Sequence, residues 1–192
     1  MTKHPIGVFI SGRGSNLKSI INVSKDSNFP GEISVVFSDN SNAKGMKLAY
    51  ENHIDAISLD INNFKDKNEF EEEILKLIQP YNLKLICLAG YMKILSKKFI
   101  KKFPGKILNI HPSLLPKYKG LNTHERVIKN KEKYTGCTVH IVNSKLDAGK
   151  KILQSKIRIY KKDNEKSLAK RLLKVENKLY PKAVQKFLDT NL

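Results

Sequence analysis

The chain of 192 residues is long enough for a substantial core and, by length, reads as one domain over 1–192. Hydrophobic residues make up 40% and charged residues 28%, which excludes a disordered chain, and no apolar run approaches the ~18 residues of a membrane helix. The net charge of +18 suggests nucleic acid, but only four of the 36 basic residues are Arg (Arg13, Arg126, Arg158, Arg171) and no basic arm, zinc finger or RNA motif gathers the lysines, so a nucleic-acid partner is not expected.

The start, "MTKHPIGVFISGRG", has too short an apolar stretch for a signal peptide, so the cytoplasm is the expected compartment. Residues 5–11, "PIGVFIS", form a strand by their β-branched and aromatic content. After "GRGSN", residues 17–26 place Leu17, Ile20 and Ile21 on one helical face. A strand at 32–39, a helix at 43–53 and a strand at 55–60 follow. The next helix, 67–81, carries Phe70, Ile74, Leu77 and Ile78 at helical spacing, with Pro80 near its end. "LKLICLAG" (83–90) is nearly all apolar, as in a strand covered on both faces. "SKKFIKKF" is a helix with Ser96 as its cap.

"GKILNIH" is a further strand, and "THERVIKNKEK" a helix capped at Thr123. Two late strands, 135–143 and 150–160, joined by a short loop, are expected to pair antiparallel. The last 30 residues form one long amphipathic helix or two. The sum is an α/β fold: a doubly wound, mainly parallel sheet with helices on both faces, antiparallel late strands and a long C-terminal helix. Cys87 and Cys137, each in an apolar run, read as small buried hydrophobes, and no metal site is expected.

Ligands of such sheets bind beyond the carboxyl ends of the strands. Three polar segments stand there. In "SGRGSN", Gly12 and Gly14 allow positive φ, and Ser15 and Asn16 open a helix whose free N–H groups could face a phosphate. Alone, this turn reads equally as a plain strand–helix connection, since neither the dinucleotide fingerprint nor a P-loop is present. In "KILNIHPSLLP", Asn109 and His111 are two apart and so share one side of the strand end. A neutral amide donor beside a titratable imidazole suits a developing oxyanion. Alone, "NIH" favours a structural pair capping a loop. In "NSKLDAGK", Asp147 could be a simple turn residue, or could fold back to reach the His111 imidazole and stabilise its protonated form. His140 alternates within its strand toward the same cleft.

"SGRGSNL", "LAGYMKIL", "LNIHPSLLPKYKG", "THERVI", "GCTVHIV" and "LDAG" together, over about residues 5 to 185, resemble the glycinamide ribonucleotide formyltransferases in order and spacing. The resemblance implies the formyltransferase fold and transfer of the formyl group of 10-formyltetrahydrofolate, as co-substrate, to the amine of glycinamide ribonucleotide in purine synthesis. It further implies that Asn109, His111 and Asp147 are catalytic, Asp147 raising the His111 pKa. Gly14, Ser15, Asn16 and Leu17, with Glu176 from the last helix, would bind the ribonucleotide. Lys67, Met92, Lys93, Ile94 and Leu95 would bind folate, together with Asn109 and the 143–147 loop: Asn143, Ser144, Lys145, Leu146 and Asp147. Its partners are then small molecules and the chain a monomer or homodimer.

Ala148 stands where the family has a second glycine, Arg13 is bulkier than expected, and Leu173 occupies a place that is commonly polar. A methionyl-tRNA formyltransferase would need a further C-terminal domain. A formyltetrahydrofolate hydrolase, using the same Asn, His and Asp with water as acceptor, would carry an N-terminal regulatory domain.

Overall fold

The structure, a computed structural model, describes residues 3–191. Seven strands form one sheet: β1 (His4–Ile10), β2 (Gly31–Ser38), β3 (Asp55–Ser58), β4 (Leu85–Leu88), β5 (Lys106–His111), β6 (Tyr134–Ile141) and β7 (Lys151–Arg158). Their order is β3-β2-β1-β4-β5-β6-β7. β1 to β5 run parallel; β6 is antiparallel to β5, and β7 to β6, as the short connection between the last two strands requires. The order reverses at β1, so a crevice opens beyond the carboxyl ends of β1 and β4.

Side-chain alternation divides the core in two. Ile6, Val8 and Ile10 of β1, with Cys87, Leu108 and Val139, face α1 (Ser15–Ser24), α2 (Lys44–Glu51) and α6 (Glu165–Asn191). Phe9, Phe37, Ile86 and Ile107 face α3 (Lys67–Ile78) and α4 (Lys97–Lys102) on the other side. With both faces covered, β4 reads Leu-Ile-Cys-Leu without a polar break, and all four residues are buried.

Local signals account for most boundaries. The Asp66 side chain accepts from the N–H groups of Asn68 and Glu69 and starts α3, while Pro80 falls in a tight 3-10 turn after it. Ser96 caps α4 through Phe99 N–H. α6 is one helix of 27 residues despite Pro181 inside it. Two expectations are corrected. Thr123 is not a cap: it is buried in the first turn of α5 (Thr123–Lys129), and Asn122, at φ +56°, precedes it without a side-chain cap. Of the two glycines in "SGRGSN", only Gly14 lies in the left-handed region (φ +74°), where a Cβ would stand 2.7 Å from Gly45 Cα; the α1 and α2 ends meet too closely for a side chain.

Candidate active site

Asn109 and His111 project from the end of β5, and strand register decides what meets them. In the β5–β6 pairing Asn109 lies opposite His140, so the two side chains share a face. Asn109 Nδ2 is 3.4 Å from His140 Nε2, and His140 Nδ1 is 3.1 Å from its own strand's Ile141 carbonyl.

The loop between β6 and β7 delivers Asp147 to this pair. Its Oδ2 is 3.4 Å from His111 Nδ1 and its Oδ1 3.5 Å from His140 Nε2. Gly120 N–H donates to Oδ2 at 2.9 Å. Asp147 itself sits at φ +45°, and two residues on, a Cβ at Gly149 would run into the Ile141 carbonyl, so glycine is required there. Position 148 carries no such restriction: Ala148 is exposed.

Burial pushes the Asp147 carboxyl up, but hydrogen bonds from His140 and Gly120, with the nearby His111, outweigh it and hold the group below the ordinary carboxylate range. His111 behaves otherwise than expected. Burial lowers its pKa, and the Tyr118 carbonyl and Asp147, which both act to raise it, do not compensate. The carboxylate does favour the imidazolium, as anticipated, yet the net direction is down, because the ring is only 5% exposed. The geometry agrees. Nε2 is 2.8 Å from the Tyr118 carbonyl and so donates there, while the 3.4 Å gap to Asp147 is long for a charge-assisted bond.

The loop that supplies this carbonyl is itself braced. Tyr118 Oη donates to Glu132 at 2.9 Å, and Arg126 lies over the Tyr118 ring while donating to the Lys119 carbonyl at 2.7 Å. Tyr118, Gly120 and His140 were not among the expected site residues except for the bare direction of His140. Backbone groups of a loop leave no trace in residue type.

Across the crevice, Gly14 turns the chain into α1 and leaves the N–H groups of Ser15, Asn16 and Leu17 at the helix start without intrahelical acceptors. The Leu17 side chain is wholly buried, so only its backbone can meet a ligand. Asn16 Nδ2 donates to Glu176 Oε2 of α6 at 3.3 Å, and the buried Asn16 Oδ1 has no partner among the described residues. Burial raises the Glu176 carboxyl despite that bond.

The segment after β4 joins this side to β5. Ser11 Oγ accepts from Met92 N–H at 2.9 Å. Met92 and Ile94 are 65% and 64% exposed, and Leu146 of the opposite loop 52%; Lys93 is exposed beside them. Solvent-facing apolar side chains in the loops rimming one cleft suit a flat aromatic ligand. Leu95, expected among the folate contacts, is instead buried in the aromatic core. Lys67, expected at a folate tail, stays exposed: its ammonium donates to the Ile94 carbonyl and lies 3.7 Å from the buried Glu71, which also accepts from Ser96 N–H. Asn143 closes a turn by accepting from Lys145 N–H at 2.9 Å, and it is exposed along with Ser144 and Lys145. Two open hollows, of about 440 and 610 Å³, lie away from this cluster, beside β3 and between α3 and α4. Converging polar groups, not concavity, mark the site.

Among the described residues no cluster of His, Cys, Asp and Glu could hold a metal ion, and no helix is long and apolar enough to cross a membrane.

The sequence matches the formyl transferase family over residues 5–184. The phosphoribosylglycinamide formyltransferase of Haemophilus influenzae is 40% identical over 187 residues, covering 97% of this chain and 88% of that one. The trifunctional purine biosynthetic protein adenosine-3 of Gallus gallus is 38% identical over 183 residues, 95% of this chain, which spans 18% of that protein's length. The crystal structure of phosphoribosylglycinamide formyltransferase from Brucella melitensis superposes with a TM-score of 0.93 at 40% identity, covering 100% of this chain and 98% of that one.

Proposed function

This chain belongs to the formyl transferase family, and we propose that it transfers the formyl group of 10-formyltetrahydrofolate to the amine of glycinamide ribonucleotide. The observation that carries the reading is the closed set Asn109–His140–Asp147–His111 at the end of β5, facing an open helix start across the crevice. The ribonucleotide phosphate would take the N–H groups of Ser15, Asn16 and Leu17 at the positive end of α1, next to Gly14. Glu176 and the unpaired Asn16 Oδ1 would accept from hydroxyl or amide groups of the same substrate. The folate would lie along Met92, Lys93 and Ile94 and against residues 143–147.

In this arrangement the amine nitrogen bonds to the formyl carbon and the carbonyl oxygen becomes an oxyanion. Asn109 Nδ2 is a fixed neutral donor for it. The Nε2–H of His111, on the Tyr118 carbonyl in the free protein, is the second. A neutral His111 can accept the proton that the attacking amine must lose, and Asp147 stabilises the imidazolium so formed. The same proton passes to folate N10 as its bond to the formyl carbon breaks. The net result is a formamide and tetrahydrofolate, with no proton gained or lost.

The chain would work as one domain on small-molecule substrates in the cytoplasm, as a monomer or homodimer. Absorbance-monitored formyl release with glycinamide ribonucleotide, with methionyl-tRNA and with no acceptor tests the reading. Turnover only with the ribonucleotide supports it. Acceptor-free release would make the chain a hydrolase, and release only with tRNA would replace the acceptor.

A further inference from the structure

The groups assigned to the two substrates stand on separate elements, Asn109 on β5 and Glu176 on α6, and one buried hydroxyl joins those elements. Tyr180 of α6 is completely buried, and its Oη lies 3.0 Å from the Leu108 carbonyl and 3.1 Å from the Leu88 carbonyl. Leu108 immediately precedes Asn109. Leu88 ends β4, just before the 89–95 segment with its exposed Met92 and Ile94. Burial pushes the phenol well above its usual range, so it remains a proton donor at any working pH. Packing alone would be served by Phe; burying the hydroxyl costs free energy that these two carbonyls and the neighbouring Cys87 thiol offset.

On the helix, Tyr180 stands four residues after Glu176, on the same face. Beside it, Pro181 has no N–H for the Asn177 carbonyl, so the helix lacks one rung of its own ladder at this turn. The direction of the half that carries Glu176 toward Asn16 therefore depends on an anchor outside the helix. We propose that Tyr180 is a positioning residue which, through the Leu108 and Leu88 carbonyls, sets the catalytic amide of Asn109 and the ribonucleotide-facing Glu176 at a fixed separation. This rests on the roles given to Asn109 and Glu176 above.

The test compares Tyr180→Phe with Ile74→Val, a core change on the opposite face of the sheet, well below both melting temperatures. For Tyr180→Phe, kcat should fall roughly tenfold, within the ~100-fold that a 1 Å misplacement costs, and KM for glycinamide ribonucleotide should rise. Its Asn109 and Glu176 amide resonances should move. Ile74→Val should leave all of these unchanged. Adding Pro181→Ala, which restores the missing rung, should recover part of the loss in the double variant and support its folding should Tyr180→Phe alone be too unstable. Unchanged kinetics and resonances in Tyr180→Phe, or no recovery in the double variant, would overturn the proposal. If the wild type transfers no formyl group to the ribonucleotide, the functional reading falls, and the resonances alone decide whether Tyr180 positions the two elements.

Discussion

Asp147 Oδ2 lies 3.4 Å from His111 Nδ1, near enough to stabilise a proton on the ring and too far to hold one there in the free protein. Burial completes the arrangement by keeping His111 below its ordinary range. In the proposed reaction the imidazole would thus act as a base, with the carboxylate placed to stabilise the cation it becomes.

Replacing Asp147 by Asn should lower kcat about 10²- to 10⁴-fold, the usual worth of a positioned acid–base partner. The Gly120 bond can survive on the amide oxygen, so circular dichroism should show an intact fold. A loss below tenfold would remove Asp147 from the mechanism.

Stability should fall on the acid side, and His111 and Asp147 both act with that sign. His111 has a folded pKa depressed from 6.5, so its contribution is full above 6.5 and is lost as pH falls through the folded value. The Asp147 pKa is depressed from 3.8, so its contribution persists to lower pH and is lost in turn. Thermal melts should show Tm dropping in two stages on acidification, and His111→Gln should shrink the first to the part contributed by His124, whose pKa burial also lowers from 6.5. A Tm that rises between pH 7 and pH 5 would contradict this.

Removing His140 takes away the largest contribution that lowers the Asp147 carboxyl. In His140→Ala, carbon-detected titration should therefore find Asp147 ionising at higher pH than in the wild type. Turnover should fall about tenfold as Asn109 loses its neighbour.

Gly14→Ala places a methyl 2.7 Å from Gly45 Cα at a φ of +74°. The left-handed conformation alone costs about 1–2 kcal/mol for a residue with a Cβ, so urea melts should show at least that loss. KM for the ribonucleotide should rise as the start of α1 shifts, with KM for the folate unaffected.

Lys67→Ala should act on the other substrate. Without its ammonium the Ile94 carbonyl loses a charge-assisted donor, the 91–95 segment loosens, and KM for 10-formyltetrahydrofolate should rise about tenfold. An unchanged value would mean that Glu71 and Ser96 hold the segment unaided.

Much of this protein is written in local pattern. The unbroken apolar run of β4, the helical spacing of Phe70, Ile74 and Ile78, the Ser96 cap and the turn at Gly14 follow from neighbours a few residues apart, which is the range over which backbone sterics and period operate. The polar ends of β5 and of the 143–150 loop were visible for the same reason. Tertiary structure alone decided the rest. The β5–β6 register set His140 against Asn109, the 112–122 loop aimed a carbonyl at His111, and burial reversed the direction that Asp147 would have given the His111 pKa. Leu95 turned inward because an aromatic core lay beneath it, while the exposed Lys67 found the Ile94 carbonyl and the buried Glu71 carboxylate. Tyr180 reached two carbonyls 92 and 72 residues away. Pairing register, desolvation and backbone acceptors belong to pairs of distant segments, so a linear pattern carries the residue types but not the partners they find.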